Sequence, residues 1–156
     1  GAFTCDEAMG LQLCRTRGQW MNCHNSGYFS NNLFENDGTS LLGSTEEDLG
    51  QYLITKKAED VGKFRVPTLR EVAKTGPWMH DGSFNTLTEV IQFYSKGNPE
   101  SSKHRSTIHN SISLNSEKSH MLKLLDLTKE EIAQLEAFLG TLSTPTTRPV
   151  PPKLPK

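Results

Sequence analysis

No apolar run in these 156 residues approaches the roughly 20 that a membrane-spanning helix needs, so no transmembrane segment is expected. Nor does one sign of charge dominate. Seventeen basic residues stand against 18 acidic ones, a formal net charge of −1, and so no global field points toward nucleic acid or an anionic membrane. Apolar side chains are scarce at 34%, and the mean hydropathy is −0.55. With 12 Gly and 8 Pro, the chain reads as one loop-rich domain whose core needs something other than side chains to fill it. Cysteine is scarce as well. Cys5, Cys14 and Cys23 cannot all pair, and if residues 6–16 form one helix Cys5 and Cys14 lie ~13 Å apart, beyond disulfide reach. That count does not fix the redox compartment. An initial Met is missing; the chain opens Gly-Ala-Phe, as removal of a leader or a trimming of the chain would leave it.

What is present is mostly helical signal. Residues 6–17 carry acids first and bases last, matching the helix dipole, with Gly18 as a stop. Residues 25–50 are rich in Asn, Ser, Gly and Asp and read as loop, with one helical turn expected at 46–49. Pro67 interrupts the segment 64–72, and a short helix is expected from Thr68 to about Ala73. Thr86 and Glu89 form a capping box ahead of an apolar stripe, Leu87, Val90, Ile91 and Tyr94. A second box, Thr128 and Glu131, opens a helix with Ile132, Leu135, Leu139 and Leu142 on one face. Residues 98–125 read as a long polar loop, and 144–156 as an extended Pro-rich tail. Neither an internal repeat nor a convincing strand is visible. The expectation is all-α with long loops.

The chemistry centres on residues 20–24, Trp-Met-Asn-Cys-His. A Cys-x-x-Cys-His sequence attaches haem: two thiols add across the vinyl groups, and the imidazole ligates the iron. Here Cys23 and His24 remain, and Trp20 stands in place of the first thiol. Alone, a Cys-His dipeptide is better read as a buried thiol beside a surface imidazole.

Four segments change that judgement: 21–32, 64–72 (Phe-Arg-Val-Pro-Thr-Leu-Arg-Glu-Val), 75–94 (with Trp-Met-His-Asp-Gly at 78–82) and 127–139. In order and spacing they resemble the carboxy-terminal domain of the bacterial di-haem cytochrome c peroxidase and MauG family. The resemblance implies a class I cytochrome c-like domain over 1–143, with 144–156 as tail. It also implies a periplasmic or otherwise extracytoplasmic location, where c-type haem is attached.

Carried over residue by residue, the resemblance makes His24 the proximal iron ligand and Cys23 a covalent anchor. The opposite ligand comes fourteen residues after the motif His, which is His80 here, and so falls on Tyr94. The peroxidases have Met at that position and MauG-like members have Tyr. A phenolate stabilises ferric iron and lowers the potential; a thioether does the reverse. Tyr94 is equally readable as a packed aromatic with a satisfied hydroxyl. Met79 and His80 are rival ligands. His80 is expected at the haem edge on a propionate or water, or else as a hydrogen-bonded loop corner. Arg70 and Arg65 are candidate propionate partners, or ordinary surface charges. The family also implies calcium held by backbone carbonyls, which map onto Thr75 and Pro77, with an Asn from the other haem domain completing the site.

This chain departs from the pattern in several places. Trp20 leaves at most one thioether from the usual pair; Cys14 stands where an aromatic is usual; Asn31 and Glu35 stand where Asp and His are common. The amino-terminal haem domain, which cleaves peroxide in the peroxidases, is absent from these residues. Either one thioether and His24 still hold haem, with Trp20 against the unreacted vinyl edge, or the cofactor is gone and Trp20, Cys14 and Met21 fill its space. Three functions follow. The first is the electron-transfer or oxidant-storing half of a peroxidase-like oxidoreductase, partnered by a second haem domain or chain and a redox protein donor. The second is a mono-haem electron-transfer cytochrome. The third is a haem-free structural subunit of a larger assembly.

Overall fold

A computed structural model describes residues 2–41, 44–97, 105–106, 114–115 and 117–145. The elements run α1 (Cys5–Arg15), β1 (Phe34–Glu35), α2 (Tyr52–Thr55), β2 (Phe64–Arg65), α3 (Leu87–Ser95), β3 (Arg105–Ser106), β4 (Leu114–Asn115) and α4 (Lys129–Thr141). Short 3₁₀ turns lie at Trp20–Asn22, Ala58–Asp60 and Val72–Lys74. The tail beyond 145 lies outside the described residues.

The helices start where the sequence marks them. Thr86 and Thr128 accept from the backbones of Glu89 and Glu131, whose side chains return the bond, and an unforeseen third box, Thr4 with Glu7, opens α1. Helices α1, α3 and α4 each turn one face to a shared core. Leu13 and Cys14 of α1, Leu87 and Ile91 of α3, and Ile132, Leu135, Phe138 and Leu139 of α4 form the core, joined by Leu69. Helices α1 and α4 cross at Gly10, where an added Cβ would stand 1.9 Å from the Gln134 carbonyl oxygen. Only a residue without a side chain lets the two backbones approach this far.

The all-α expectation is overturned. β1 and β2 pair antiparallel, Phe34 opposite Arg65 and Glu35 opposite Phe64, and β3 pairs with β4 inside the stretch read as loop. Two-residue strands are too short for alternation to register, and their partners lie far apart in sequence. The turn expected at 46–49 is not helical; the helical turns are α2 and Ala58–Asp60. The helix expected from Thr68 shrinks to the 3₁₀ turn Val72–Lys74. Thr68–Arg70 is instead spent on the loop after His24: Thr68 Oγ1 donates to Tyr28 O at 2.5 Å, and Leu69 N–H to Phe29 O at 3.3 Å. Ser30 Oγ donates to Val66 O at 2.7 Å, and Val66 N–H to Leu33 O at 2.9 Å. The Val-Pro-Thr-Leu-Arg segment is therefore a clamp on the loop that carries Cys23-His24.

A second clasp ties the end of α4 to the segment before Trp78. Glu71 accepts from Thr144 N–H at 2.8 Å and Thr144 Oγ1 at 2.6 Å, with Lys74 Nζ at 3.3 Å. The Thr144 hydroxyl, then its backbone N–H, hold the carboxyl down to about 2 from an ordinary 4.5. A folded-state value below the unfolded one gives stability that is present above the unfolded value and lost as pH falls through the folded one. Wild type should therefore lose thermal stability relative to Glu71→Gln as pH falls from about 4.5 to about 2. Melting curves across that window check it, and parallel curves would refute it.

Candidate functional site

The 3₁₀ turn Trp20–Asn22 delivers Cys23 and His24 to the edge of the core, and Asn31 N–H donates to Cys23 O at 2.8 Å. His24 Nδ1 donates to Phe29 O at 2.8 Å, which puts the imidazole lone pair on Nε2. Burial lowers its pKa, against the pull of the Phe29 and Pro67 carbonyls, so the ring is neutral near pH 7, the form a metal ligand requires. Burial, and after it the Glu35 carboxylate, push the Cys23 thiol up to about 11. Such a thiol resists oxidation, and all three cysteines are free.

Beside this pair lies a cavity of about 400 Å3, within the range of small-molecule sites. Its apolar wall includes Val66, Leu69, Leu87, Val90, Leu122 and Leu139. Trp20, Cys23, His24, Tyr94, Met79 and His80 all line it, and Thr75 and Pro77 lie along it. The sequence candidates thus converge on one space, with one exception. Arg70 is not in the lining; its Nη2 donates to Gly27 O at 2.7 Å, and its guanidinium lies 5.8 Å from the Tyr28 ring. Arg65 does line the cavity, with Nη2 donating to Asn32 Oδ1 at 2.5 Å.

Tyr94 reaches the cavity from the last turn of α3. Its hydroxyl lies 4.0 Å from Met79 Sδ and hydrogen-bonds the Asp37 carboxylate. Burial, then the charges of Asp37 and Cys23, push its pKa far up, so the phenol is neutral. The Trp20 ring stands 6.2 Å from that of His24 and 6.0 Å from that of Tyr94, edge-on to the latter. His80 is stacked on Phe64 at 3.7 Å, with Nδ1 3.2 Å from Thr39 Oγ1 and Nε2 3.8 Å from Asp48 Oδ2. It is both a loop corner and a cavity residue. Met79 sits at φ 70°, a strained value for a side chain of its size.

Three contributors were missed. Asp37 accepts from Thr39 N–H at 3.0 Å and Thr39 Oγ1 at 2.5 Å as well as from Tyr94, yet in sequence it is one acid in a polar loop. Met121 Sδ lies 4.0 Å from Cys23 Sγ, brought there by a polar run that Ser119 N–H pins to Asn36 O at 2.8 Å. Trp78 lines the cavity, its Nε1 donating to Val72 O at 2.9 Å. Only the Trp78 signal, inside the Trp-Met-His-Asp-Gly run, was there to be read.

A neutral imidazole with its lone pair on Nε2, a thiol on the preceding residue and an apolar-walled cavity beside both suit a c-type haem. Among the described residues no group of three or more His, Cys, Asp and Glu is placed to hold a metal ion, and no helix is long and apolar enough to cross a membrane.

No family model matches the chain. It is 41% identical over 113 residues to cytochrome-c peroxidase IdrP1 of Denitromonas iodatirespirans, which covers 70% of this chain and 26% of the relative. Methylamine utilization protein MauG of Methylorubrum extorquens is 26% identical over 154 residues, covering 99% of this chain and 39% of the relative. Among solved structures, a MauG-like protein associated with microbial copper homeostasis superposes with a TM-score of 0.74 at 32% identity, over 91% of this chain and 48% of that one. The chain spans a quarter to a half of the length of these relatives.

Proposed function

Because the chain belongs to the cytochrome c peroxidase and MauG family, whose members are haem oxidoreductases, we propose that it is a haem c-bearing electron-transfer and oxidant-storing domain of a peroxidase-like oxidoreductase. Cys23, His24 and Tyr94 are the residues that would hold the haem, Cys23 through a single thioether and His24 and Tyr94 through the iron. The observation that carries this reading is the neutral His24, its Nδ1 occupied by Phe29 O, beside the Cys23 thiol on an apolar cavity of about 400 Å3.

Bound haem would supply one-electron redox chemistry and, with a phenolate ligand, a low potential. The chain's own residues do the rest. Phe29 O fixes the tautomer and plane of His24. The clamp from Val66 to Arg70 holds the attachment loop against the core. Val66, Leu87, Val90 and Leu139 give the site apolar walls, and Trp20 lines it where a first thiol would otherwise stand. Arg65, which lines the cavity, takes the propionate role in preference to Arg70, and His80 stands with it. Calcium on the Thr75 and Pro77 carbonyls belongs to the assembly with a second haem domain, since these carbonyls alone are too few ligands. Covalent haem attachment places the protein in the periplasm or elsewhere outside the cytoplasm. A second haem domain or chain and a redox donor complete the oxidoreductase.

One observation favours a second reading. The Trp20 indole, about 6 Å from both the His24 and Tyr94 rings, stands where it would help fill a vacated pocket in a haem-free subunit. Purified protein separates the two. A Soret band that survives acid-acetone extraction, with a pyridine haemochrome displaced toward the single-thioether form, is expected. A colourless protein would overturn the haem reading and leave the subunit.

A further inference from the structure

Five residues around the cavity, Ser119, Met121, Leu122, Lys123 and Leu125, come from a segment that is neither helix nor strand, and no residue from 117 to 126 is buried. We propose that residues 119–124 are a hinged strap across the Cys23 end of the cavity, pivoting at Ser95 and latching at Asn36, whose opening decides whether Cys23 meets an electrophile from solvent. This goes beyond the haem reading and does not need it, because the strap and the thiol beneath it both belong to the chain.

The two ends are held differently. Ser95, the last residue of α3, is buried and accepts three bonds: Leu125 N–H at 2.8 Å and Asp126 N–H at 3.2 Å on its carbonyl, and Leu127 N–H at 2.8 Å on its hydroxyl. Arg17 Nη2 donates to Leu125 O at 3.3 Å and to Asp126 O at 2.9 Å. Asp126 turns at φ 48°, a left-handed value that Asp tolerates better than most residues, and Leu127 beyond it enters the core. That end is the pivot. At the other end Ser119 N–H donates to Asn36 O at 2.8 Å, and Asn36 Nδ2 donates to Glu117 O at 3.1 Å. Both bonds run to one loop residue, which makes it the latch. Lys118 Nζ reaches Gly97 O on a flexible stem that can follow the motion.

Between the ends, the backbone bonds among the described residues stay inside the strap. Leu122 N–H donates to Ser119 O at 3.0 Å, and Met121 N–H to Ser119 Oγ at 3.4 Å. A segment with local bonds and few buried apolar contacts opens at low cost, and Leu124 is 73% exposed. A second hollow of about 440 Å3, lined by Met21, Asn25, His120 and Met121, lies beside the strap and leaves it room to move. Met121 Sδ, 4.0 Å from Cys23 Sγ, is the strap's contact with the thiol. Gly97, at φ 62°, sets how closely the strap lies. A Cβ there would stand 2.7 Å from Leu124 N and 2.7 Å from the Lys123 carbonyl carbon, and would pry the strap up.

The test uses the full chain made without haem: wild type, Asn36→Asp and Gly97→Ala. Asn36→Asp keeps the oxygen that Gly38 N–H uses at 2.8 Å and removes the NH2 that Glu117 O accepts. Hydrogen exchange of the peptide 119–125 is read beside iodoacetamide labelling mapped by mass spectrometry. The other cysteines are internal standards, exposed Cys5 for the reagent and fully buried Cys14 for general unfolding. In Asn36→Asp, strap exchange and Cys23 labelling should both rise about fivefold, the equilibrium factor of one lost hydrogen bond, and Gly97→Ala should raise both further. Cys5 should not change and Cys14 should stay unlabelled. The added negative charge can only slow a thiol, so faster labelling reports opening. Wild-type rates in both variants would overturn the strap. So would Cys14 labelling that rises in step with Cys23, or faster strap exchange with Cys23 unmoved. None of these readouts involves haem, so their failure leaves the haem reading intact, and a colourless protein leaves the strap intact.

Discussion

Gly10→Ala is expected to destabilise the fold by roughly 3 kcal/mol, lowering the melting temperature by about 10 °C in a domain of this size. Alanine is the better helix former by about 1 kcal/mol, so an isolated α1 would gain from the change. The tertiary contact decides the sign. At Gly10 the new methyl would meet main-chain atoms of α4, the Gln134 carbonyl oxygen at 1.9 Å and carbon at 2.6 Å, with Phe138 Cβ at 2.8 Å. A backbone carbonyl cannot rotate away as a side-chain tip can, so the helices must part. Parting them loosens Leu13 and Cys14 against Leu135 and Phe138, the centre of the core. Gly140→Ala, on the same α4 and with nothing near its ideal Cβ, is the control and should be neutral or slightly stabilising. Thermal or urea denaturation of both variants reads the difference directly. A Gly10→Ala protein as stable as wild type would mean that the two helices do not cross at this distance.

That crossing was not legible in the sequence, and the reason is general. Gly10 sits inside a run with helical charge order, where a glycine reads as a small propensity penalty; its necessity lies in a residue more than a hundred positions away. Most signals that travel locally were legible, although the Thr4–Glu7 box at the start of α1 was passed over. Thr86 with Glu89 and Thr128 with Glu131 marked two helix starts because a capping box is a contact between neighbours. Leu87, Val90 and Ile91 are buried as their spacing implied, and Tyr94 follows them onto the cavity. The strands were not legible, since Phe34 and Arg65 pair across a long loop and over too few residues for a periodic pattern.

The candidate site divides in the same way. Cys23 and His24 are adjacent in the chain, and Met79 and His80 belong to one short motif, so both pairs could be named. Asp37 and Met121 reach the cavity only through folding, from stretches with no distinguishing pattern. Arg70 illustrates the converse. Its residue type suits a propionate, yet a loop carbonyl at Gly27 and the Tyr28 ring occupy it, while Arg65, five positions earlier, faces the cavity. Residue type proposed the chemistry; only Arg65 of the two arginines lines the cavity.

Cys23→Ser is expected to change haem attachment from complete to none. In a site with two thioethers, losing one thiol leaves the other and the haem stays bound through extraction. Here the residue three places before Cys23 is Trp20, which has no thiol to add to a vinyl group, and Cys14 is fully buried in the core between α1 and α4. Cys5 is exposed at the start of α1 and is not part of the cavity lining. A single hydroxyl substitution therefore removes every covalent bond while leaving the volume of the site almost unchanged. His24→Ala separates attachment from ligation. Cys23 still carries the haem through acid-acetone, but the proximal nitrogen is gone, so the ferric spectrum and potential shift. Trp20→Cys supplies the missing thiol at the position where the turn Trp20–Asn22 already presents its side chain to the cavity. It should move the haemochrome to the two-thioether form. Mass spectrometry of the intact chain, together with the haemochrome, scores all three variants. Covalent haem persisting in Cys23→Ser would place the bond on another residue and overturn the assignment of Cys23.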